Sequence, residues 1–314
     1  MSPAGQRWLR RLLQAAGLLA ALWYLVHTAE THSAELSAVP VTFRPLPLAV
    51  ASLLTLATWL LLVRTWSRSL RWWGDRLSFG QAVRIWFITN LSRFVPGAIW
   101  QFAHVSAEAL GARISPLAAT GAILFQQLVL LGTGIALALS LAPVLPLAVT
   151  GSASPVATLG LASLGIALVV MLLPVVAPTL ERWTSRLLRR DIRWPAPSHR
   201  ELSGYVATLV VPWVAYGIAF WLFGLALLGE AAPGLLPASA AFIGSYVAGI
   251  IAVFAPGGLG VREAALVLLL SPIAGPAPAL FLAIASRLWL VGLEILTALG
   301  VLAWHRQGVP SSTE

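Results

Sequence analysis

The chain has 314 residues, of which 59% are hydrophobic and only 10% charged, with a mean hydropathy of +0.86. Soluble domains carry about 25% charged residues, so a mostly wet surface is excluded, and one polytopic membrane domain fits better than two soluble ones. Disulfides and thiolate metal sites are excluded because there is no cysteine, and the net charge of +9 comes from arginines set between apolar runs, which points to anionic membrane surfaces and away from nucleic acid.

A spanning helix needs roughly 20 apolar residues. The first candidate, 8–28, follows Arg7, Arg10 and Arg11; no small-residue cleavage site comes after it, so it is an uncleaved anchor. The second is 46–66. The apolar stretch 78–112 is interrupted in its middle at Pro96-Gly97. Plain spans follow at 116–141 and 155–177, then an arginine-rich segment, 181–193, with the character of an interfacial amphipathic helix. A span at 202–227 precedes a second interrupted stretch, 238–271, broken at Pro256-Gly257-Gly258, and 277–303 is the last span.

The two interruptions share the form F-x-P-G, at Phe94 to Gly97 and Phe254 to Gly257, and lie 160 residues apart. The same offset carries 46–66 onto 206–226 and 116–141 onto 276–301, and sets Gln127 on Arg287 and Gly132 on Gly292. Such agreement is the signature of duplication. Arginine placement then sets topology. With the N-terminus in the cytoplasm, the groups Arg64 to Arg76, Arg113, Arg182 to Arg200 and Arg306 all fall inside, provided that each broken stretch crosses an even number of times. Each repeat therefore has three spans plus a proline-glycine-broken re-entrant or paired half-helix element. Three is odd, so the repeats are inverted. The predicted fold is an all-α polytopic membrane protein: one domain, 1–307, with repeat one over about 8–150 and repeat two over about 155–304, and a short cytoplasmic tail, 308–314. Both termini are expected in the cytoplasm, and the location is the inner plasma membrane.

Irregular backbone at membrane depth is tolerated only where it lines protein or a watery cavity. After Pro256, Gly257 and Gly258 a short helix over about 260–271 is expected, its first N–H groups left open by Gly258 and Gly260. Arg262 adds a flat guanidinium in that first turn, and together they describe a phosphate or carboxylate cradle. Glu263 also favours the helix dipole. Arg287 and Glu294 lie inside the last span on one helix face, and Arg93 lies beside the first break with Pro96 and Gly97. Buried charges in membranes pair and often mark a pathway. Two readings of these groups stay open: a substrate site, or a clamp in which Arg262 and Arg287 neutralise Glu263 and Glu294.

The stretch PGGLGVREAAL resembles the signature of the lysylphosphatidylglycerol synthase transmembrane region, the flippase-like membrane domain of the multiple peptide resistance factors, and SRFVPGAIWQ is similar to that family's first proline-glycine motif. The resemblance covers most of the chain. It implies inverted repeats with re-entrant helices and the handling of anionic or modified lipids. The soluble synthetase domain of the multiple peptide resistance factors is not in this sequence, so aminoacyl transfer is not implied.

Other candidates carry less. His104 and Glu108 have metal-compatible spacing but no third ligand, and read as a satisfied interior pair. Gln126 and Gln127 either line a pathway or bond between helices, the second being favoured. Trp8, Trp23, Trp66, Trp72, Trp73 and Trp304 fall near span ends and read as interfacial anchors, while Gly132 and Gly134 read as close-packing positions. No catalytic, cofactor or metal motif is found. The favoured function is a flippase or transporter of an anionic phospholipid or polyprenyl-phosphate-linked lipid, with no cofactor. The alternatives are a membrane enzyme acting on a lipid headgroup, with Glu263 or Glu294 as base, and a scaffold for a separate synthetase. Expected partners are anionic membrane lipids, with a separate synthetase or glycosyltransferase and a second copy of the chain as further candidates.

Overall fold

A computed structural model describes residues 30–37, 39–94, 99–146, 197–252 and 255–307, with scattered positions in 19–27 and 175–186. The predicted spans 8–28 and 155–177, most of the segment 181–193, the Pro96-Gly97 break and the tail therefore lie outside the described residues.

Among the described residues, after a short helix, Ser33–Ser37, come eight α-helices: α1 Pro45–Ser69, α2 Phe79–Asn90, α3 Ile99–Gly111, α4 Pro116–Leu141, α5 His199–Leu228, α6 Leu235–Ile251, α7 Val261–Ala274 and α8 Pro276–Gln307. No strand occurs among the described residues. Their boundaries have local causes. Proline occupies the first helical turn of α1 and α4, where its missing N–H costs nothing. Reciprocal capping boxes, Ser78 with Gln81 and Ser198 with Glu201, start α2 and α5. Among the described residues, four helical runs are long and apolar enough to cross a membrane: Pro45–Trp73, Pro116–Val144, His199–Ala231 and Pro276–Trp304. By contrast α2, α3, α6 and α7 have 12, 13, 17 and 14 residues, short of a span.

The order long, short, break, short, long recurs at the 160-residue offset, with α4 and α8 beginning at Pro116 and Pro276. Packing follows the same exchange. Helix α1 packs on α2 as α5 packs on α6; α4 packs on α6 as α8 packs on α2; and the 3-10 turn Leu91–Phe94 packs against the turn Pro256–Gly258. Helices α1 and α5 lie together and run antiparallel. The Arg44 N–H donates to the Ala226 carbonyl (2.9 Å) near the start of α1 and the end of α5, while Trp72 meets Tyr205 at the other end, with ring centroids 5.0 Å apart.

That second end gathers arginines. Arg64, Arg68, Arg71, Arg76, Arg113 and Arg200 are all exposed, and Asp75 Oδ2 accepts from the Ser115 N–H at 2.9 Å, tying the turn after α1 to the start of α4. Between the ends the packing relies on small-residue notches. The Trp213 ring lies where a Cβ on Gly134 would stand 2.4 Å away, and its Nε1 donates to the Leu130 carbonyl at 3.0 Å. Gly134 thus fits the close-packing expectation. Gly132, with nothing within 4 Å, does not. The tryptophans also divide. Trp23 and Trp304 are exposed, as interfacial anchors should be. Trp66 is fully buried and donates to the Ala119 carbonyl at 3.3 Å, and Trp73 fills the notch at Gly121. Proximity to a span end does not say which face of the helix a ring occupies; Trp66 is a core residue instead, and Trp73 packs against the core.

Candidate functional site

Where the short helices and the break converge, a cavity of about 350 Å³ opens, within the size range of small-ligand sites. Every described long helix contributes: Trp59 from α1, Gln126 and Gln127 from α4, Tyr216 from α5 and Arg287 from α8. The short helices add Trp86, Asn90, Gln101, Tyr246 and Arg262, and the break adds Gly257 and Gly258. Gln127 and Arg287, aligned by the 160-residue offset, face one cavity.

The two arginines are held differently. Arg287 is 3% exposed; its Nη2 donates to the Gly257 carbonyl at 2.5 Å and its Nε stands 3.4 Å from Glu263 Oε1, an ion contact rather than an aligned hydrogen bond. The other carboxylate oxygen of Glu263 accepts from the Gly260 N–H at 2.7 Å. Glu263 therefore caps α7 with one oxygen and meets the α8 cation with the other, so α7, α8 and the break are laced together. Arg262, 7% exposed, instead spreads its guanidinium over the rings of Phe242 and Tyr246, at 4.8 and 4.3 Å from their centroids. Cation–π contacts of this kind suit a weakly hydrated planar cation. Residues 242 and 246 sit one turn apart on α6, which is why both rings face the same neighbour.

The glycines explain how α7 comes so close to α6. Gly257, Gly258 and Gly260 all have positive φ (58°, 71° and 80°), a backbone that L side chains rarely adopt. A Cβ on Gly258 would stand 3.0 Å from the Gly249 Cα and carbonyl oxygen, and a Cβ on Gly249 would stand 3.1 Å from Arg262 Cβ. Gly258 therefore lets two backbones touch, and the opening expected at the helix start is occupied by Gly249 and by the Glu263 carboxylate.

Of the other sequence candidates, Glu294 is buried on α8, two turns beyond Arg287, and is not among the residues lining the cavity. Arg93 belongs to the turn that packs on Pro256–Gly258, while Pro96 and Gly97 lie outside the described residues. Gln126 makes the expected bond between helices, its Nε2 donating to the Leu62 carbonyl at 3.1 Å from α4 to α1, and the residue borders the cavity. His104 and Glu108 are engaged with neighbours, Ser92 Oγ lying 2.8 Å from His104 Nδ1 and Arg84 Nη2 3.6 Å from Glu108 Oε2. No cluster of three metal-ligating side chains occurs among the described residues. Sequence reasoning missed Phe242, Tyr246, Asn90 and Gln101. Asn90 and Gln101, polar residues flanking a break within apolar sequence, were the available signal.

The model of the lysylphosphatidylglycerol synthase TM region family matches residues 11–300. The chain belongs to this family. No curated protein matches it. Membership of the lysylphosphatidylglycerol synthase TM region family and the four long apolar helices together make it an integral, multi-pass membrane protein.

Proposed function

We propose that the protein is a lipid translocase of inverted-repeat architecture, which takes the anionic headgroup of a phospholipid or polyprenyl-phosphate-linked lipid into the cavity beside Arg262 and Arg287. The observation that carries this reading is the cavity itself: two buried arginines and three glutamines line about 350 Å³ of space among helices apolar enough to span a membrane. Buried charge at such depth is costly and is retained where it pairs or serves a pathway. The antiparallel α1 and α5, equivalent under the 160-residue offset, support repeats of opposite topology, and the short helices flanking each proline-glycine motif, with the turn Leu91–Phe94 packed on the turn Pro256–Gly258, support re-entrant elements. Transporters of this architecture place their substrate where discontinuous helices meet. The arginine-bearing end faces the cytoplasm of the plasma membrane on the positive-inside rule. The site comprises Arg262, Arg287 and the Pro256 to Gly260 break, supported by Glu263 and by the first break around Arg93. Glu263 is engaged with Gly260 and Arg287, which disfavours it as the base of a lipid-modifying enzyme.

The test is leaflet exchange of acyl-labelled phosphatidylglycerol in vesicles containing the purified protein. Arg262→Lys keeps the charge but loses the planar contact with Phe242 and Tyr246, and should slow exchange roughly tenfold or more. Exchange at the rate of protein-free vesicles by the parent protein, or an unaffected Arg262→Ala variant, would overturn the proposal.

A further inference from the structure

We infer that the headgroup is a phosphate bearing a neutral polyhydroxyl group, of the glycosyl or inositol class, and that the site discriminates against a headgroup carrying an ammonium. This rests on the translocase reading and specifies its substrate. The cavity is divided by element. Its cations, Arg262 and Arg287, come from α7 and α8, whereas α2, α3 and α4 supply neutral amides, Asn90, Gln101, Gln126 and Gln127.

An amide side chain offers both donors and an acceptor, and so does each hydroxyl of a polyol; a phosphate alone needs only donors. Four amides are therefore more than an anion requires. Asn90, Gln101 and Gln127 are only partly buried and within reach of a ligand, while Gln126, 1% exposed, ties α4 to α1 through the Leu62 carbonyl behind them. Trp59 and Trp86 add apolar ring surface, matching a ring that is apolar on its C–H faces and polar at its rim.

The charge pattern supplies the second half. Among the described residues no carboxylate lines the cavity, and the nearby Glu263 is already engaged with Arg287 and the Gly260 N–H. An aminoacylated headgroup would bring its ammonium beside two guanidiniums with no anionic partner to receive it, and like charges in a desolvated site repel strongly.

Quenching of intrinsic tryptophan fluorescence in the purified full chain tests this, since Trp59 and Trp86 line the cavity. The probes are dioctanoyl phosphatidylinositol, phosphatidic acid and lysylphosphatidylglycerol, with water-soluble glycerophosphoinositol as the free headgroup. Phosphatidylinositol should bind roughly tenfold tighter than phosphatidic acid, about what two added neutral hydrogen bonds supply, and lysylphosphatidylglycerol should bind weakest. Gln127→Leu should bring the phosphatidylinositol to phosphatidic acid ratio close to one, an effect that a loss of folding would not produce. Equal binding of phosphatidylinositol and phosphatidic acid, or preferred binding of the lysyl lipid, overturns the inference while leaving the translocase standing. Binding of none of them overturns both. Glycerophosphoinositol binding as tightly as the lipid overturns the lipid part of the proposal.

Discussion

Glu263→Gln isolates the lacing of α7 to α8. The amide keeps the size of the side chain and an acceptor for the Gly260 N–H, but it removes the charge 3.4 Å from Arg287 Nε. Both side chains lie almost out of water, at 9% and 4% exposure, so solvent screening of the lost attraction is slight. Removing one partner of a buried ion pair typically costs about 3–5 kcal/mol, because the remaining charge stays desolvated without its counter-charge. At roughly 1.5 °C per kcal/mol for a chain of this size, the unfolding midpoint should fall by about 5 °C or more. Replacing both, as Glu263→Gln with Arg287→Met, should recover most of that loss. It should leave a residue of about 1 kcal/mol for the hydrogen bond that Arg287 makes to the Gly257 carbonyl. The assay is intrinsic tryptophan fluorescence during heating of the detergent-solubilised protein, for which 14 tryptophans provide signal. A Glu263→Gln midpoint within about 2 °C of the parent, or a double variant worse than the two single ones combined, would refute the pairing.

Gly258→Ala should cost at least about 2 kcal/mol through backbone strain and contact with Gly249, seen as lower yield and midpoint. Gly132→Ala, in a helix interior with nothing within 4 Å, should instead be neutral or gain about 0.5–1 kcal/mol; a reversed order would contradict the packing at the break. Single cysteines introduced into this cysteine-free chain test topology: Gly234→Cys should react with an impermeant maleimide in intact cells, and Gly111→Cys, beside the arginine-bearing end, only after permeabilisation. Labelling of position 111 from outside would exclude the inferred orientation.

Sequence alone determined the elements that depend on sums or breaks along the chain. The spans expected at 46–66, 116–141, 202–227 and 277–303 correspond to α1, α4, α5 and α8 within a few residues. Hydropathy and proline are local properties, and neither needs to know what a helix packs against. The break at Pro256 and the helix after it were legible for the same reason, as was the family, because its signature lies in that contiguous stretch. Tertiary structure decided the partnerships. Arg262, Arg287, Glu263 and Glu294 were all visible as buried charge, but it took the packing of α6, α7 and α8 to pair Arg287 with Glu263 and to lay Arg262 over Phe242 and Tyr246. Nor did the sequence say that Trp66 faces the core, that Gly258 meets Gly249, or that Asn90 and Gln101 join Gln126 around one cavity. A helix that is apolar on every side has no periodic stripe to declare its inner face. In this chain each such choice was left to the shape of the neighbouring helices.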